Sequence, residues 1–241
     1  MPDAAPEILP LGLHGLLVRF ATRYCEVANR AAQALAAQLA ATPLPGQIEV
    51  APGLGSVLLR FDRRATTRAA VRTALQDRLN APAPPAPAPR RWTVPACFGG
   101  ATGAQLAEVA YLTGRRESDL ISELCATELR VLALGFAPGQ PYLGTLPAHW
   151  DIPRQTALTP TVAPGTITTA IRQIVLFAQS SPTGWRALGR CALRPFAPEA
   201  ATPILLRPGD LLRFTPASAE EISALEANGD PMGGAVQGFS K

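Results

Sequence analysis

The stretch LRVLALGFAPGQPYLGTL, residues 129 to 146, divides the chain into two parts of different character. Its first six residues are apolar apart from Arg130 and predict a β-strand. Three glycines and two prolines follow between Gly135 and Gly144, so the backbone is fixed at the prolines and can adopt positive φ angles at the glycines. A rigid loop that leaves a strand is a common location for a binding site.

The part of the chain before this stretch alternates strand-like and helix-like segments. Apolar residues at helical spacing predict a helix between 21 and 41, and they are Val27, Ala31, Leu35 and Leu39. In chain order the predicted elements are a strand at 16–20, that helix, strands at 47–50 and 56–61, and a helix at 62–80. This β-α-β-β-α order is typical of a small open sheet of the split βαβ kind, with helices on one side.

A proline-rich run from Ala81 to Pro89 follows the second predicted helix. Its composition predicts an extended polyproline II segment, which acts as a stiff spacer. A ligand for SH3-type domains is the second interpretation of this composition, and the spacer is favoured in a chain of this size.

A strand at 91–98 and two short helices between 103 and 124 come next. The helix pair could form a DNA-binding helix-turn-helix. Its second helix, however, would present Glu117, Asp119 and Glu123 to the outside, and carboxylates repel the phosphates of DNA. We therefore expect a packed helical hairpin.

β-like segments separated by turn residues dominate the chain after residue 146, which predicts a closed barrel with short connections. They lie at 166–169, 173–177, 185–190, 203–206 and 211–214. Ser218 and Glu221 form a capping-box pattern that predicts a short helix, and the tail from 230 to 241 is expected to be loose.

Together these patterns predict an α+β protein. Residues 1–90 would form a small N-terminal α/β domain that ends in the proline-rich linker, and the strand and helical hairpin of 91–134 would complete that domain. Residues 135–241 would form a C-terminal β-barrel domain.

Composition and charge exclude several classes of function. No apolar run approaches the roughly 20 residues of a membrane-spanning helix, and the N-terminal residues lack the charge pattern of a signal peptide, so we expect a cytoplasmic protein. Lys241 is the only lysine, which excludes a P-loop and Schiff-base chemistry. The net charge of +4 is spread along the chain, so nucleic-acid binding is not expected. Four scattered cysteines and two histidines predict no metal site.

Several short motifs of the second half resemble the allophanate hydrolase subunit 1 family. This family includes the B subunit of the bacterial ATP-dependent 5-oxoprolinase and the Kip-type sporulation kinase inhibitor. The motifs are GFAPGQPYLG at 135–144, PR at 153–154, SPTGW at 181–185, LGR at 188–190 and PGD at 208–210.

The resemblance implies an N-terminal α/β domain followed by a C-terminal cyclophilin-like β-barrel. It also implies a hydrolase subunit that acts only in complex with a homologue of the family's C-type partner (allophanate hydrolase subunit 2), with a homologue of the A-type protein as a further partner. Such a complex uses ATP with Mg²⁺, bound mainly by a partner, to open 5-oxoproline to glutamate. The alternatives are a regulatory protein that binds a histidine kinase, as the Kip-type inhibitor does, and a subunit that acts on another amide or urea-like substrate.

The chain departs from the family pattern at several positions. The family's G-F-P-Y is replaced by Gly139-Gln140-Pro141-Tyr142, and the second arginine of its P-R-x-x-x-P-R pattern is missing after Arg154. A family histidine corresponds to Leu124 and an aspartate to Gly99. The glycine-rich run is replaced by the apolar segment 171–178, in which only Gln173 is retained. These apolar substitutions favour a non-catalytic role or an altered substrate.

The resemblance and the residue chemistry together select candidate ligand-binding residues, but no catalytic residue. Arg154 could clamp a carboxylate or phosphate, and Gln173 could pair with a lactam or amide. Arg172 could either replace the missing second arginine or block the pocket. Tyr142 offers an aromatic face and a hydroxyl, with core packing as the competing role. The full set is Gly135, Phe136, Pro138, Gly139, Tyr142, Arg154, Arg172 and Gln173.

Three other residues are assigned structural roles. We expect Trp185 to be a core anchor of the barrel and Asp210 to be a turn residue before a strand. His149 lies in a predicted surface turn, so we do not assign it as a general base.

Overall fold

A computed structural model of the chain describes residues 5–81 and 88–239. The chain forms two compact units, one before residue 88 and one from residue 88 onward. Most of the proline-rich run, for which polyproline II was predicted, lies at 82–87 and therefore outside the described residues. Among the described residues, no helix has the length and apolar character that crossing a bilayer requires.

The first unit is a four-stranded antiparallel sheet with two helices. Its elements are β1 (Glu7–Leu11), β2 (Gly15–Arg19), α1 (Glu26–Ala41), β3 (Gln47–Pro52), β4 (Ser56–Phe61) and α2 (Arg68–Asn80), and the strand order is β1-β2-β4-β3. The predicted small sheet is confirmed, with β1 as an additional strand. Because β1 contains Pro10 and lies at the sheet edge, where proline is tolerated, its sequence carries little strand signal.

The helices of the first unit begin later than the sequence suggests. Thr67 caps α2, since its side chain accepts a hydrogen bond from the backbone N–H of Ala70 at 3.2 Å. In α1 the predicted apolar stripe was wrong at its start, because Val27 is 58% exposed while Ala28 and Ala32 are fully buried. An alanine-rich helix offers little contrast between its faces, so periodicity alone does not fix which face is buried.

The second unit is built around a closed barrel. Its strands are β5 (Arg90–Phe98), β6 (Leu129–Leu134), β7 (Pro141–Gly144), β8 (Thr159–Val162), β9 (Thr166–Ala170), β10 (Gln173–Leu176), β11 (Ser181–Thr183), β12 (Arg186–Cys191), β13 (Leu211–Pro216) and β14 (Val236–Phe239). Its helices are α3 (Leu106–Thr113), α4 (Glu117–Ala126) and α5 (Ala219–Ala227), with a 3₁₀ turn at Ala148–Trp150. Seven strands follow the order β12-β9-β10-β7-β6-β13-β5, and β5 pairs again with β12. The expected cyclophilin-like barrel is thereby confirmed.

The segment 91–134 was expected to complete the N-terminal domain, but its contacts belong to the second unit. Strand β5 pairs with β12, β13 and β14. Leu106 and Leu120, from the predicted helical hairpin, pack in the same core cluster as Phe214 of β13. The physical reason is closure, because the barrel has no continuous hydrogen-bonded wall without β5.

One apolar cluster receives side chains from all seven barrel strands and therefore fills the barrel interior. Its strand residues are Trp92, Val94, Ala96, Leu129, Val131, Leu143, Ile167, Ile174, Leu176, Leu188, Cys191, Leu212 and Phe214. A second cluster lies on the outer face of the barrel, beneath the two-stranded ribbon formed by β8 and β11. It contains Val162, Ala170, Val175, Phe177 and Trp185, with Tyr142 packed against them.

Two predictions for the end of the chain need correction. The tail was expected to be loose, but Val236 pairs with Thr93 and β14 extends the sheet along β5. The segment 203–206 was predicted as a strand, but it contributes only one isolated pair, between Ile204 and Phe196. In both cases the outcome depends on whether a distant edge is available for pairing. The predicted capping box is confirmed, with Ser218 and Glu221 bonding reciprocally.

Candidate functional site

A row of cross-strand neighbours crosses the outer face of the barrel. Arg130 of β6 is opposite Gly144 of β7, Gly144 is opposite Gln173 of β10, and Gln173 is opposite Ala170 of β9. Residues directly opposite in a sheet project to the same side. Ala170 also packs with Trp185 in the outer cluster, so this row lies beside the ribbon. In this row the cation of Arg130 and the amide of Gln173 lie on either side of Gly144, which has no side chain.

Gln173 is the most unusual member of this row. The residue is 7% exposed, and none of the side-chain hydrogen bonds within 5–81 and 88–239 involves its amide group. Its amide atoms are not among the fully buried atoms that lack a partner in these ranges, so the amide is the part of this side chain that stays in contact with solvent. The sequence predicted that Gln173 binds a ligand, with exposure to solvent as the alternative. The structure contradicts the exposed alternative, and the ligand role stays a prediction.

Tyr142, Trp185 and Arg154 form a stack next to this row. The rings of Tyr142 and Trp185 meet edge to face, with centroids 6.0 Å apart and planes at 76°. The guanidinium carbon of Arg154 lies 5.3 Å from the centroid of the Trp185 ring. Trp185 is buried, as expected of a core anchor, whereas Tyr142 is half-buried and Arg154 is exposed. Stacking on an aromatic face leaves the N–H groups of an arginine free to bind an anion in plane.

The backbone around Arg154 is held on both sides. The carbonyl of Pro153 accepts a hydrogen bond from Nη1 of Arg186 at 2.5 Å. On the other side, the N–H of Gln155 donates to the carbonyl of Gly184 at 2.7 Å, and its side-chain amide donates to the carbonyl of Trp185 at 3.1 Å. These contacts fix the backbone on both sides of Arg154, from which its exposed side chain reaches the indole of Trp185.

Arg172 lies in the two-residue turn between β9 and β10. Ile171 and Arg172 have φ angles of +46° and +63°, the pattern of a type I′ turn. The N–H of Ile171 donates to the carbonyl of Ile152 at 2.8 Å, and that of Arg172 to the carbonyl of Trp150 at 3.1 Å. Nε of Arg172 donates to the carbonyl of Leu146 at 2.8 Å. The side chain therefore has a structural contact, and both of its predicted roles in the pocket stay predictions.

The candidates Gly135, Phe136, Pro138 and Gly139 lie at the other end of β7. The loop is closed by hydrogen bonds from the N–H of Gly135 to the carbonyl of Gln140, at 3.1 Å, and from Gln140 to the carbonyl of Ala137, at 3.1 Å. Gly139 has φ of +69°, and a Cβ there would lie 2.7 Å from the carbonyl oxygen of Pro195. Gln173 pairs with Gly144, the last residue of β7, whereas the loop precedes Pro141, the first residue of β7. Gln173 and the loop are therefore about 10 Å apart along the strand.

The eight sequence-predicted residues thus fall into two groups. Tyr142, Arg154, Arg172 and Gln173 surround the ribbon side of the outer face, while the loop residues project from one end of the barrel. Sequence reasoning missed Arg130, a residue of the predicted strand at 129–134. The available signal was its charge within the otherwise apolar run 129–134.

Asp210 was also interpreted incompletely. It follows a turn as expected, but it is 4% exposed and accepts hydrogen bonds from Arg90, from the indole N–H of Trp92 and from the backbone of Arg207. These contacts give it a role in the barrel core. His149 lies in the predicted turn and contacts a carboxylate oxygen of Glu123 at 2.8 Å.

Comparison with known proteins shows similarity over most of the chain. Residues 6–206 match the carboxyltransferase domain, subdomain C and D. The B subunit of 5-oxoprolinase from Bacillus subtilis (strain 168) is 30% identical over 229 residues, which are 90% of this chain and 95% of the relative. The B subunit of 5-oxoprolinase from Escherichia coli O157:H7 is 34% identical over 175 residues, which are 72% of this chain and 79% of the relative.

Two solved structures contain a similar fold as one part of a longer chain. The crystal structure of TTHA0988 aligns with 85% of this chain at 32% identity and a TM-score of 0.76, and the match covers only 40% of the TTHA0988 chain. The Kluyveromyces lactis urea amidolyase aligns with 100% of this chain at a TM-score of 0.77, but at 17% identity and over 17% of its own length. The second likeness shows the shared fold alone.

Proposed function

The chain belongs to the family of allophanate hydrolase subunit 1 and the B subunit of 5-oxoprolinase, and on this basis we propose that it is the B-type subunit of an ATP-dependent amidohydrolase. The substrate is 5-oxoproline or a related cyclic amide or urea-type compound. The active form is a complex with a homologue of the C-type partner (allophanate hydrolase subunit 2), completed by an A-type homologue. We propose a cytoplasmic location for it, where ATP is available.

The amide of Gln173 is the observation that supports this proposal most strongly, because it lies on a largely buried residue and makes no hydrogen bond within the described chain. A lactam carries an N–H donor beside a carbonyl acceptor, and a glutamine amide can bond to both at once. Binding would therefore satisfy the polar group that is unpaired within the described chain.

The second end of 5-oxoproline is a carboxylate. Arg154 is suited to it, because a planar guanidinium binds a carboxylate with two parallel hydrogen bonds. Gln173 and Arg154 lie on the same side of the barrel. Gln173 pairs with Ala170, Ala170 belongs to the same apolar cluster as Trp185, and Arg154 stacks on Trp185. Recognition of both ends of the substrate would favour a cyclic amide acid over a simple amide.

Opening an unstrained amide requires activation, because its carbonyl is a poor electrophile. Phosphorylation of the carbonyl oxygen by ATP followed by attack of water would divide the reaction into easier steps. We assign the binding of ATP with Mg²⁺ mainly to a partner protein of the complex, as the family resemblance implies. Within 5–81 and 88–239, no three His, Cys, Asp or Glu side chains converge so that they could hold a metal ion by themselves.

Reconstitution tests the proposal. The purified chain is mixed with the A-type and C-type homologues encoded in the same genome, and ATP-dependent release of glutamate from 5-oxoproline is measured. We expect Arg154→Lys to raise KM roughly 10-fold or more, because lysine keeps the charge but loses the planar, stacked fork. Arg116→Lys, at an exposed position on α4's N-terminal boundary, is the matched control. Glutamate release no higher than in the absence of ATP contradicts the proposal.

The regulatory alternative predicts tight binding to a histidine kinase and loss of its autophosphorylation. It was favoured by the apolar character of 171–178 and of Leu124. In the structure Leu124 and Ile174 belong to the core cluster of the barrel unit, and Val175 packs beneath the ribbon. Their apolar character follows from packing, so it gives this alternative no additional support.

A further inference from the structure

Phe136 combines two features that are unfavourable for an isolated chain. Its side chain is 73% exposed, and its backbone has φ of +70°. A positive φ is rare for a residue with a bulky side chain, because Cβ then crowds the neighbouring carbonyl. Glycine or asparagine at this position would adopt the same backbone without exposing an aromatic ring to water.

The loop holds this ring outward. The N–H of Gly135 bonds to the carbonyl of Gln140 and closes the loop that contains Phe136, and the N–H of Gln140 bonds to the carbonyl of Ala137 and closes the turn that follows Phe136. Gly139 anchors the loop against the following segment, since a Cβ there would meet the carbonyl of Pro195 and the Cβ of Phe196 at 2.7 and 3.2 Å. Phe136 therefore lies in a loop whose backbone is held by hydrogen bonds and by the close packing of Gly139.

The segment touched by Gly139 also exposes apolar residues. Ile204 is 38% exposed and pairs with Phe196, which is half-buried. Pro138 is exposed in the first loop. We call the set of Phe136, Pro138, Phe196 and Ile204 the apolar rim.

We propose that the apolar rim is the docking surface for the partner protein, with Phe136 as its anchor. Aromatic side chains that enter a pocket at the centre of an interface often dominate the binding energy. An exposed ring on a turn already shaped for it loses little conformational freedom on binding. The contact face of the partner must then offer an apolar pocket of about the size of a phenyl ring.

The partner that binds the apolar rim is the protein that corresponds to the part of the TTHA0988 chain outside the match. The match covers 40% of that chain, so a barrel of this kind is joined there to a longer additional segment in one polypeptide. The Bacillus subtilis relative, of which the match covers 95%, is named a subunit, and under the proposed function the corresponding segment acts on this chain as a separate protein. The identity of this partner rests on the proposed function, whereas the location of the contact rests on the rim alone.

Binding and stability measured together test the docking surface. The partner is the purified homologue of the additional TTHA0988 segment, encoded in the same genome as this chain. Phe136→Asn removes the ring and suits a positive φ, while Phe136→Tyr keeps the ring. Tyr111→Ala is the control, because Tyr111 is 86% exposed on α3 and lies outside the rim.

We expect Phe136→Asn to weaken the complex by about 30-fold or more in calorimetric titration, the range of an interface anchor. Its urea midpoint should equal or exceed that of the wild type. Phe136→Tyr and Tyr111→Ala should both bind within about threefold of the wild type.

The possible outcomes separate the two proposals. Absence of a complex with the wild-type chain overturns the proposed function and this docking surface together. A wild-type complex that Phe136→Asn leaves unchanged overturns only the docking surface. A lower urea midpoint for Phe136→Asn, or a wild-type dimer that this substitution dissociates, also overturns it, because the ring would then serve the chain itself or a second copy.

Discussion

The guanidinium of Arg90 donates two hydrogen bonds to the carboxylate of Asp210, at 2.9 and 2.5 Å, across 120 positions of sequence. The indole N–H of Trp92 donates to the same carboxylate at 3.1 Å, and the backbone N–H of Arg207 does so at 2.9 Å. These bonds join the first residue of β5 to the turn that precedes β13. The pair therefore fixes the register of the parallel strands β5 and β13.

Removal of this carboxylate should strongly destabilise the barrel unit. Asp210→Ala leaves the Arg90 guanidinium, which is mostly buried, without its counter-charge, and loss of one partner of a buried pair costs about 3–5 kcal/mol. Urea unfolding at pH 7 measures the change. Asp119→Asn is the control, because its ion pair with Arg116 is exposed and should contribute nothing measurable. Equal losses in the two variants would contradict a special role for Asp210.

Replacement of Gln173 by leucine should separate stability from function. Gln173→Leu removes an amide that makes no hydrogen bond within the described chain, so the free energy of unfolding should stay within about 1 kcal/mol of the wild type. Turnover of 5-oxoproline by the reconstituted complex should be lost. For comparison, Thr168→Val deletes a bonded hydroxyl, which donates to the carbonyl of Val175 at 3.3 Å, and should destabilise. Destabilisation by Gln173→Leu would mean that the amide serves the fold.

The turn between β9 and β10 should accept a stabilising substitution. Ile171 is β-branched and has φ of +46°, a conformation that asparagine adopts more readily. Ile171→Asn should therefore increase the free energy of unfolding by about 1 kcal/mol. Ile48→Asn should act in the opposite direction, because Ile48 is also exposed but lies in β3, where asparagine is unfavourable. Denaturant midpoints of both variants distinguish this backbone effect from a general effect of polarity.

The thiol of Cys191 should not react with alkylating agents in the folded chain. Burial raises the pKa of Cys191 to about 12, because the interior disfavours the thiolate. Alkylation at pH 8 followed by mass spectrometry should modify the half-buried Cys25 and spare Cys191 until the chain is unfolded.

The same pKa shift predicts a dependence of stability on pH. A raised pKa stabilises the fold fully below the ordinary thiol pKa of about 8.5, and this contribution is lost as pH rises toward about 12. Cys191→Ala should flatten that decline in urea titrations between these limits. An unchanged slope would show that other groups cause it.

Local signals in the sequence predicted the elements that need no distant partner. The apolar run of β6 and the capping box of α5 were both predicted correctly, because periodicity and capping act within a few residues. Short strands such as β7, β8 and β14 were missed, since four residues carry no clear alternation and acquire strand geometry only from their neighbours.

The candidate site followed the same rule. The chemistry of Gln173 and Arg154 could be recognised residue by residue. The stacking of Arg154 on Trp185, and the alignment of Arg130 with Gln173 across Gly144, depend on strand register and could not. The assignment of 91–134 to the N-terminal domain was wrong for a related reason, because the strands that pair with β5 lie far along the chain.

Strand β5 also determines when the barrel can form. It is the first strand of the second unit, yet its partners are β12, β13 and β14, the last strands of the chain. During synthesis the hairpins of the first unit can pair as soon as they leave the ribosome, whereas β5 must wait for its first partner, β12, until residue 191 has been made. Contacts so distant in sequence make folding slow. The nascent second unit therefore exposes an unpaired, apolar strand throughout most of its translation, which is the period when it is most vulnerable to aggregation and most dependent on chaperones.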